Sequence, residues 1–300
     1  MVRPARFGFN NETASSNAFQ QAPKRGEAAQ KIQTLALKEF DNFVQSLKEK
    51  GIQVLVMPDS VDPPKPDAIF PNNWFCSLPS GELVIFPMQA PNRREEKSDE
   101  ILQRICKAFQ VKDVEDWSEY EAENFFLEGT GSMIFDHEHK TVYACLSART
   151  HKALFERFAR AHGYRPIHFE ALDEKGQPIY HTNVMMHIGQ TYAVICLEAI
   201  KNKAERIRIA QELQSSDHEI IEISLSQVHQ FAGNMLQVAG RQAEPFTIMS
   251  QTAFDSLTAD QKQVLAIHST LLPVAIPTIE NIGGGSARCM IAEIFQDKKH

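Results

Sequence analysis

Apolar and polar positions along this chain follow two periods. A spacing near 3.6 residues predicts helices at about 25–50, 93–109, 149–162, 202–214 and 258–269. The first, "EAAQKIQTLALKEFDNFVQSLKEKG", closes on Gly51, a residue suited to a helix C-cap. A short strand-like run follows each helix: "IQVLVMP", "VKDVEDW", "YRPIHFE", "EIIEIS" and "LLPVAIP". The loops after the first four lead into paired runs that predict hairpins: "WFCSL…LVIFPM", "SMIFD…TVYACL", "VMMHIG…TYAVICL" and "NMLQVAG…PFTIMS". The fifth unit offers only "CMIAEIF", and "VRPARFGF" near residue 1 is the expected source of its missing strand.

The chain therefore reads as an α/β protein of five units, each a helix plus three strands, with a period near 50 residues. Five units whose ends complete one another predict closure about a pseudo-five-fold axis, which leaves no sheet edge exposed. An ordinary α/β sandwich with evenly spaced elements is the alternative. At one phase of the repeat, where the hairpin begins, stand Asn73, Glu128, His181, Asn234 and Cys289. The steps are 128 − 73 = 55, 181 − 128 = 53, 234 − 181 = 53 and 289 − 234 = 55. In a ring these positions converge at one end of the axis, where a thiol, an imidazole and a carboxylate would make a nucleophilic site.

Composition narrows the setting. A net charge of −7 and a pI near 5.9 argue against nucleic-acid and anionic-membrane partners. The first twenty residues lack the apolar core of a signal peptide, and no apolar run reaches the length of a membrane span. The five scattered cysteines fit a reducing, cytoplasmic setting. Cys76, Cys106, Cys145 and Cys196 lie in helix or strand patterns and read as packing residues. Cys289 differs, because "GGGSAR" before it lets backbone approach a ligand and offers a nearby cation. Glu128 sits between "NFFL" and "GTG", an apolar and flexible setting that shifts a carboxyl pKa. "DHEHK" (Asp136 to Lys140) looks metal-like but falls on a hairpin turn and reads as solvated. His181 and His187 would stand about 20 Å apart on a strand. No metal or organic cofactor is expected.

Six motifs in order, "PDAIFPNNW", "APNRRE", "LEGTGS", "SART", "HTN" and "GGGSARCM", resemble the guanidine-modifying enzyme superfamily of arginine deiminases, dimethylarginine hydrolases and amidinotransferases. The "FPNNW" box and "NNETAS…NAFQ" are most similar to its citrulline utilization hydrolases. The resemblance covers the whole chain and implies a single domain, 1–300, folded as a five-bladed α/β propeller (pentein). It implies Cys289 as nucleophile, His181 as general acid and base, and Glu128 as the acid that orients it. By the same resemblance Asp67 binds a substrate α-amino group, and Arg94 and Arg149 hold an α-carboxylate.

Three positions depart from the arginine-deiminase pattern. Asn73 and Asn183 stand where those enzymes carry aspartates, and Gly131 where many relatives carry another acid. A carboxylate buried against a neutral group is costly, whereas asparagine offers both a donor and an acceptor. The expectation is a small amino-acid substrate with a neutral ureido group: citrulline, hydrolysed to ornithine, ammonia and carbon dioxide. Hydrolysis of arginine or methylarginine is the rival reading, amidino transfer a more distant one, and a non-catalytic amino-acid-binding protein the alternative of another class. The oligomeric state stays open, a homodimer included. The loop "ALDEKGQPIY" (Ala171 to Tyr180) is a candidate lid, and Asn234 is expected to serve structure.

Overall fold

The helical periods become helices Ala29–Glu49, Lys152–Ala161, Lys203–Ser215 and Ala259–His268. The computed structural model describes all residues except Arg25, Glu27 and His300. In the first helix Ile32, Ala36, Phe40, Phe43, Val44 and Leu47 are buried, the spacing of one apolar face. The stretch expected as one helix over 93–109 is two pieces, a turn at Pro91–Arg94 and a helix at Asp99–Ala108. The break falls where the Ser98 hydroxyl accepts the Ile101 N–H and caps a new helix. None of the described helices is long and apolar enough to cross a membrane.

Five sheets form among the described residues. Strands β1 (Val2–Arg3) and β2 (Met57–Pro58) pair in parallel. The other four repeat one plan, an antiparallel hairpin with a third strand parallel to its second. They comprise β3 (Phe75–Ser77), β4 (Glu82–Ile85) and β5 (Asp113–Asp116), then β6 (Ile134–Asp136), β7 (Thr141–Cys145) and β8 (Arg165–Phe169). After them come β9 (Met186–Ile188), β10 (Tyr192–Ile195) and β11 (Glu219–Glu222), and last β12 (Leu236–Ala239), β13 (Pro245–Ser250) and β14 (Thr270–Val274).

The fifth unit departs from expectation. "CMIAEIF" forms no strand: Ala287–Met290 is a helical turn, residues 291–295 join no ladder, and pairing resumes only as an isolated Phe109–Lys298 bridge. Its backbone is held by a side chain instead, since Ser77 Oγ donates to Glu293 O (2.9 Å) and accepts from Phe295 N (3.1 Å).

Short turns precede the hairpins and carry the repeat's special positions. Pro71–Asn73 packs against both Gly129–Ser132 and Ala287–Met290, and Gly129–Ser132 also packs against Thr182–Val184. These contacts are close because glycine makes them so. Gly129 has φ +48°, and a Cβ there would stand 2.3 Å from Asn72 O. Gly129→Ala is therefore expected to cost about 2 kcal/mol or more, from the left-handed conformation together with the clash. Urea unfolding should show it as a lower midpoint with an unchanged slope.

Candidate active site

Glu128 lies at the centre of a buried charge network and is itself fully buried. It ends the strand-like segment before Gly129–Ser132, where Ser132 Oγ accepts its backbone N–H at 2.9 Å. One carboxylate oxygen accepts the Gln89 N–H at 3.0 Å. The other faces His181 Nε2 at 2.8 Å, Arg149 Nη1 at 3.6 Å and Arg93 Nη1 at 3.9 Å. Burial alone would raise the Glu128 carboxyl. Arg149, the His181 hydrogen bond and Arg93 together outweigh it and hold the group at about 2.

Burial pushes the His181 imidazole down to about 4, against the pull of Glu128, with Arg149 and Arg93 adding to the fall. At neutral pH the pair is thus a carboxylate and a neutral imidazole. The carboxylate only accepts, so the proton sits on His181 Nε2 and the lone pair on Nδ1. A Cβ at Gly131 would come within 2.8 Å of that ring and 2.4 Å of Asn73 Nδ2. Here His181 and Asn73 already fill the space that a larger residue would need.

Cys289 sits in the Ala287–Met290 turn, almost fully buried. Its sulfur accepts amide N–H groups from Asn183 Nδ2 at 3.4 Å and Asn234 Nδ2 at 3.3 Å. Asn234 does more than expected of it. It also donates to Asn183 O at 2.8 Å and accepts the Arg288 N–H at 3.0 Å, tying the third, fourth and fifth units together around the thiol. None of the five cysteines is paired. Burial pushes the thiols of Cys145 and Cys196 up to about 12, and that of Cys76 up as well.

The residues expected to recognise substrate divide. Asp67, Asn73, Arg149, His181 and Cys289 line one small cavity, and Asn183 stands behind the sulfur. Arg94 does not belong to it. Its side chain is one-third exposed, bonds Met88 O at 3.0 Å and lies 3.4 Å from Glu121. Arg93 lines the cavity in its place, nearly fully buried. It forks onto Glu96 at 2.8 and 2.9 Å and donates to Asn73 Oδ1 at 2.9 Å. Adjacent residues of a helical turn point about 100° apart, so both cannot face the cavity. The sequence did hold a signal for the choice: three residues beyond Arg93 is Glu96, whereas three beyond Arg94 is Lys97.

The segment 10–21, which has no helical or strand period, lies across the cavity. Asn10 Nδ2 donates to Asp67 Oδ2 at 2.7 Å, and Arg149 Nη2 donates to Ser16 Oγ at 2.7 Å. Asn17 Nδ2 reaches Gly284 O at 3.2 Å, and Gln21 N reaches Asn281 O at 2.7 Å. With this segment in place the cavity holds about 10 Å³, room for a single water at most. The loop 171–180, expected as a lid, folds on itself through a Leu172–Pro178 bridge. It contributes Tyr180, whose hydroxyl donates to Gly284 O at 2.8 Å and whose ring lies under Arg149.

Solved hydrolases of carbon–nitrogen bonds other than peptide bonds share this fold. The chain is a member of the eukaryotic N,N-dimethylarginine dimethylhydrolase family, whose model matches residues 3–296. No curated protein matches the chain. Among solved structures it is similar to apo ArgZ, an arginine dihydrolase from the ornithine-ammonia cycle in cyanobacteria, with 16% identity and a TM-score of 0.73 over 97% of this chain. The chain spans 39% of that full-length dihydrolase, but 95% of the N-terminal domain solved as a substrate-bound cysteine-to-serine mutant (17% identity, TM-score 0.72). A dimethylarginine dimethylaminohydrolase carrying a 4-chloro-2-hydroxymethylpyridine adduct is 18% identical, with a TM-score of 0.62 over 86% of this chain and 90% of that one. At such identities the likeness is one of fold.

Two outcomes test the network. Arg93→Ala strands buried Glu96 and should cost about 3–5 kcal/mol; Arg94→Ala, which removes a partly exposed pair, should cost about 1 kcal/mol or less in the same urea titration. The second concerns acid. Folded His181 titrates at about 4 against an ordinary 6.5, so below pH 6.5 the unfolded chain takes up a proton that the folded one refuses. Stability falls through that window, and His181→Asn should remove roughly 1 kcal/mol per pH unit of slope between pH 6 and 5.

Proposed function

We propose that this chain is a cysteine-dependent hydrolase that attacks the terminal ureido carbon of citrulline, giving ornithine, ammonia and carbon dioxide. The observation that carries the substrate choice is the orientation of Asn73. Arg93 has only donors, so it fixes the Asn73 carbonyl toward itself and leaves Nδ2, buried and without a partner, as a donor. A donor suits a carbonyl oxygen and opposes a guanidinium. The charges of the cavity agree. Asp67 Oδ1 and Arg149 Nε are buried and unpartnered, one acceptor for an α-amino group and one donor for an α-carboxylate. Among the described residues the lining holds no further carboxylate for a second cation. The family and the dihydrolase neighbours favour the rival, arginine or a methylated arginine, at the same thiol.

In this reading neutral His181 takes the Cys289 proton, and the thiolate attacks the ureido carbon. Amide donors such as Asn73 Nδ2 stabilise the developing oxyanion, worth about 3–4 kcal/mol for one well-aligned group. The imidazolium, held by ionised Glu128, returns its proton to the departing nitrogen, which leaves as an amine rather than an anion. Water, deprotonated by the same histidine, then hydrolyses the S-thiocarbamate and restores the thiol, and the carbamate released loses carbon dioxide to give the second amine. Segment 10–21 must first withdraw, because its Asn10, Thr13 and Ser16 occupy the groups that would hold the substrate's amino and carboxyl ends. The same reading takes residues 1–300 as one domain whose five units close as blades about an axis through this site. The packing of Pro71–Asn73 on Ala287–Met290, first unit on fifth, supports that closure.

Ammonia and ornithine release from citrulline, arginine and dimethylarginine, with Cys289→Ser as blank, tests the assignment. Ornithine from citrulline with arginine inert is the expected result, and Asn73→Asp should shift preference toward arginine. Turnover of arginine or dimethylarginine with citrulline inert would assign the rival, and binding without turnover of any of them would leave an amino-acid-binding protein.

A further inference from the structure

One cluster of metal-ligating side chains stands apart from the thiol site: Asp136, His139 and His218. The first two belong to the "DHEHK" stretch, which the sequence suggested was solvated. It does lie at the turn between β6 and β7, but Asp136 is buried. Its carboxylate accepts the His139 N–H at 3.0 Å and faces His139 Nδ1 at 2.9 and 3.1 Å. From the neighbouring sheet, one residue ahead of β11, comes His218. Its ring is buried, and its Nδ1 lies 4.0 Å from Asp136 Oδ2 with no hydrogen-bond partner. The two imidazoles meet edge to face, centroids 5.6 Å apart.

A buried imidazole nitrogen without a partner is costly, and 4.0 Å is too long for a hydrogen bond. It is the right separation for two ligands of one ion. Metal–ligand bonds of about 2.0–2.1 Å set ligand atoms about 3–4 Å apart. All three donor atoms lie within 4.8 Å of one another, so a bound ion needs only a small contraction. His139, about one-third exposed, gives it a route from solvent.

We propose that Asp136, His139 Nδ1 and His218 Nδ1 bind one divalent transition-metal ion of the zinc class, joining the β6–β8 sheet to the β9–β11 sheet. Two imidazoles and one carboxylate suit zinc or cobalt, while magnesium and calcium prefer all-oxygen shells. Three protein ligands leave a fourth position for water. The ion would replace the hydrogen bond between His139 Nδ1 and Asp136, and the neutral ring then carries its proton on Nε2. The site lies at the end of β6 remote from Glu128, which gives it a role in holding adjacent sheets rather than in the chemistry at Cys289.

Zinc titration against a chromophoric chelator, in Cys289→Ser protein so that the thiol does not compete, tests the proposal. The expected result is one equivalent bound with micromolar or tighter affinity. His139→Ala and His218→Ala should each weaken it at least tenfold. Zinc should raise the melting temperature by about 3 °C or more in the parent and not in His139→Ala. No stoichiometric uptake, or uptake unchanged in His139→Ala, overturns it. His139 lies on an exposed turn, so its variant decides the matter even if His218→Ala fails to fold.

Discussion

A single carboxylate with no exposure to water organises this molecule. Glu128 stays ionised in the interior only because two guanidiniums and an imidazole surround it. Each of those partners comes from a different stretch: Arg93 from the turn after β4, Arg149 from the turn after β7, His181 from the turn before β9. An uncompensated charge at this depth would cost several kcal/mol, so the units must pack in a way that delivers all three. The histidine's tautomer, the orientation of Asn73 through Arg93 and the position of Arg149 over Tyr180 follow from that one requirement.

The polar groups left over around the thiol lie in one place. Asp67 Oδ1, Asn73 Nδ2, Arg149 Nε and Asn183 Oδ1 are buried without partners, a concentration of unmade hydrogen bonds that natural interiors avoid. Segment 10–21 bonds other atoms of two of these residues, Asp67 Oδ2 and Arg149 Nη2, with its own amide, hydroxyl and carbonyl groups. In the proposed function, a substrate's amino and carboxyl ends would take the places that this segment holds at Asp67 and Arg149. Closure and binding therefore draw on the same two residues, and ligand and segment must exchange partners rather than add them.

The alternation of helix and hairpin was legible in the chain, because helix and strand periods are local properties of the sequence. Near-equal steps of 53 or 55 between Asn73, Glu128, His181, Asn234 and Cys289 placed these residues at corresponding turns, and the turns of the first, second, third and fifth units do meet. The choice between Arg93 and Arg94 was harder to read, since it depends on the break at Ser98 and on which face of one short turn meets Glu128. Nor could the fifth unit's missing strand be foreseen. "CMIAEIF" has a strand's composition, yet Ser77 binds its backbone and no ladder forms.

What the sequence determined by itself was the alternation of helix and hairpin, the glycines that let turns approach closely, and the residue types available at each phase. Tertiary structure alone decided the role of segment 10–21, the depth of Asp136 and its meeting with His218 from the next sheet. The physical reason is distance along the chain. Contacts between residues tens or hundreds of positions apart are set by how whole sheets pack, and no local spacing records them.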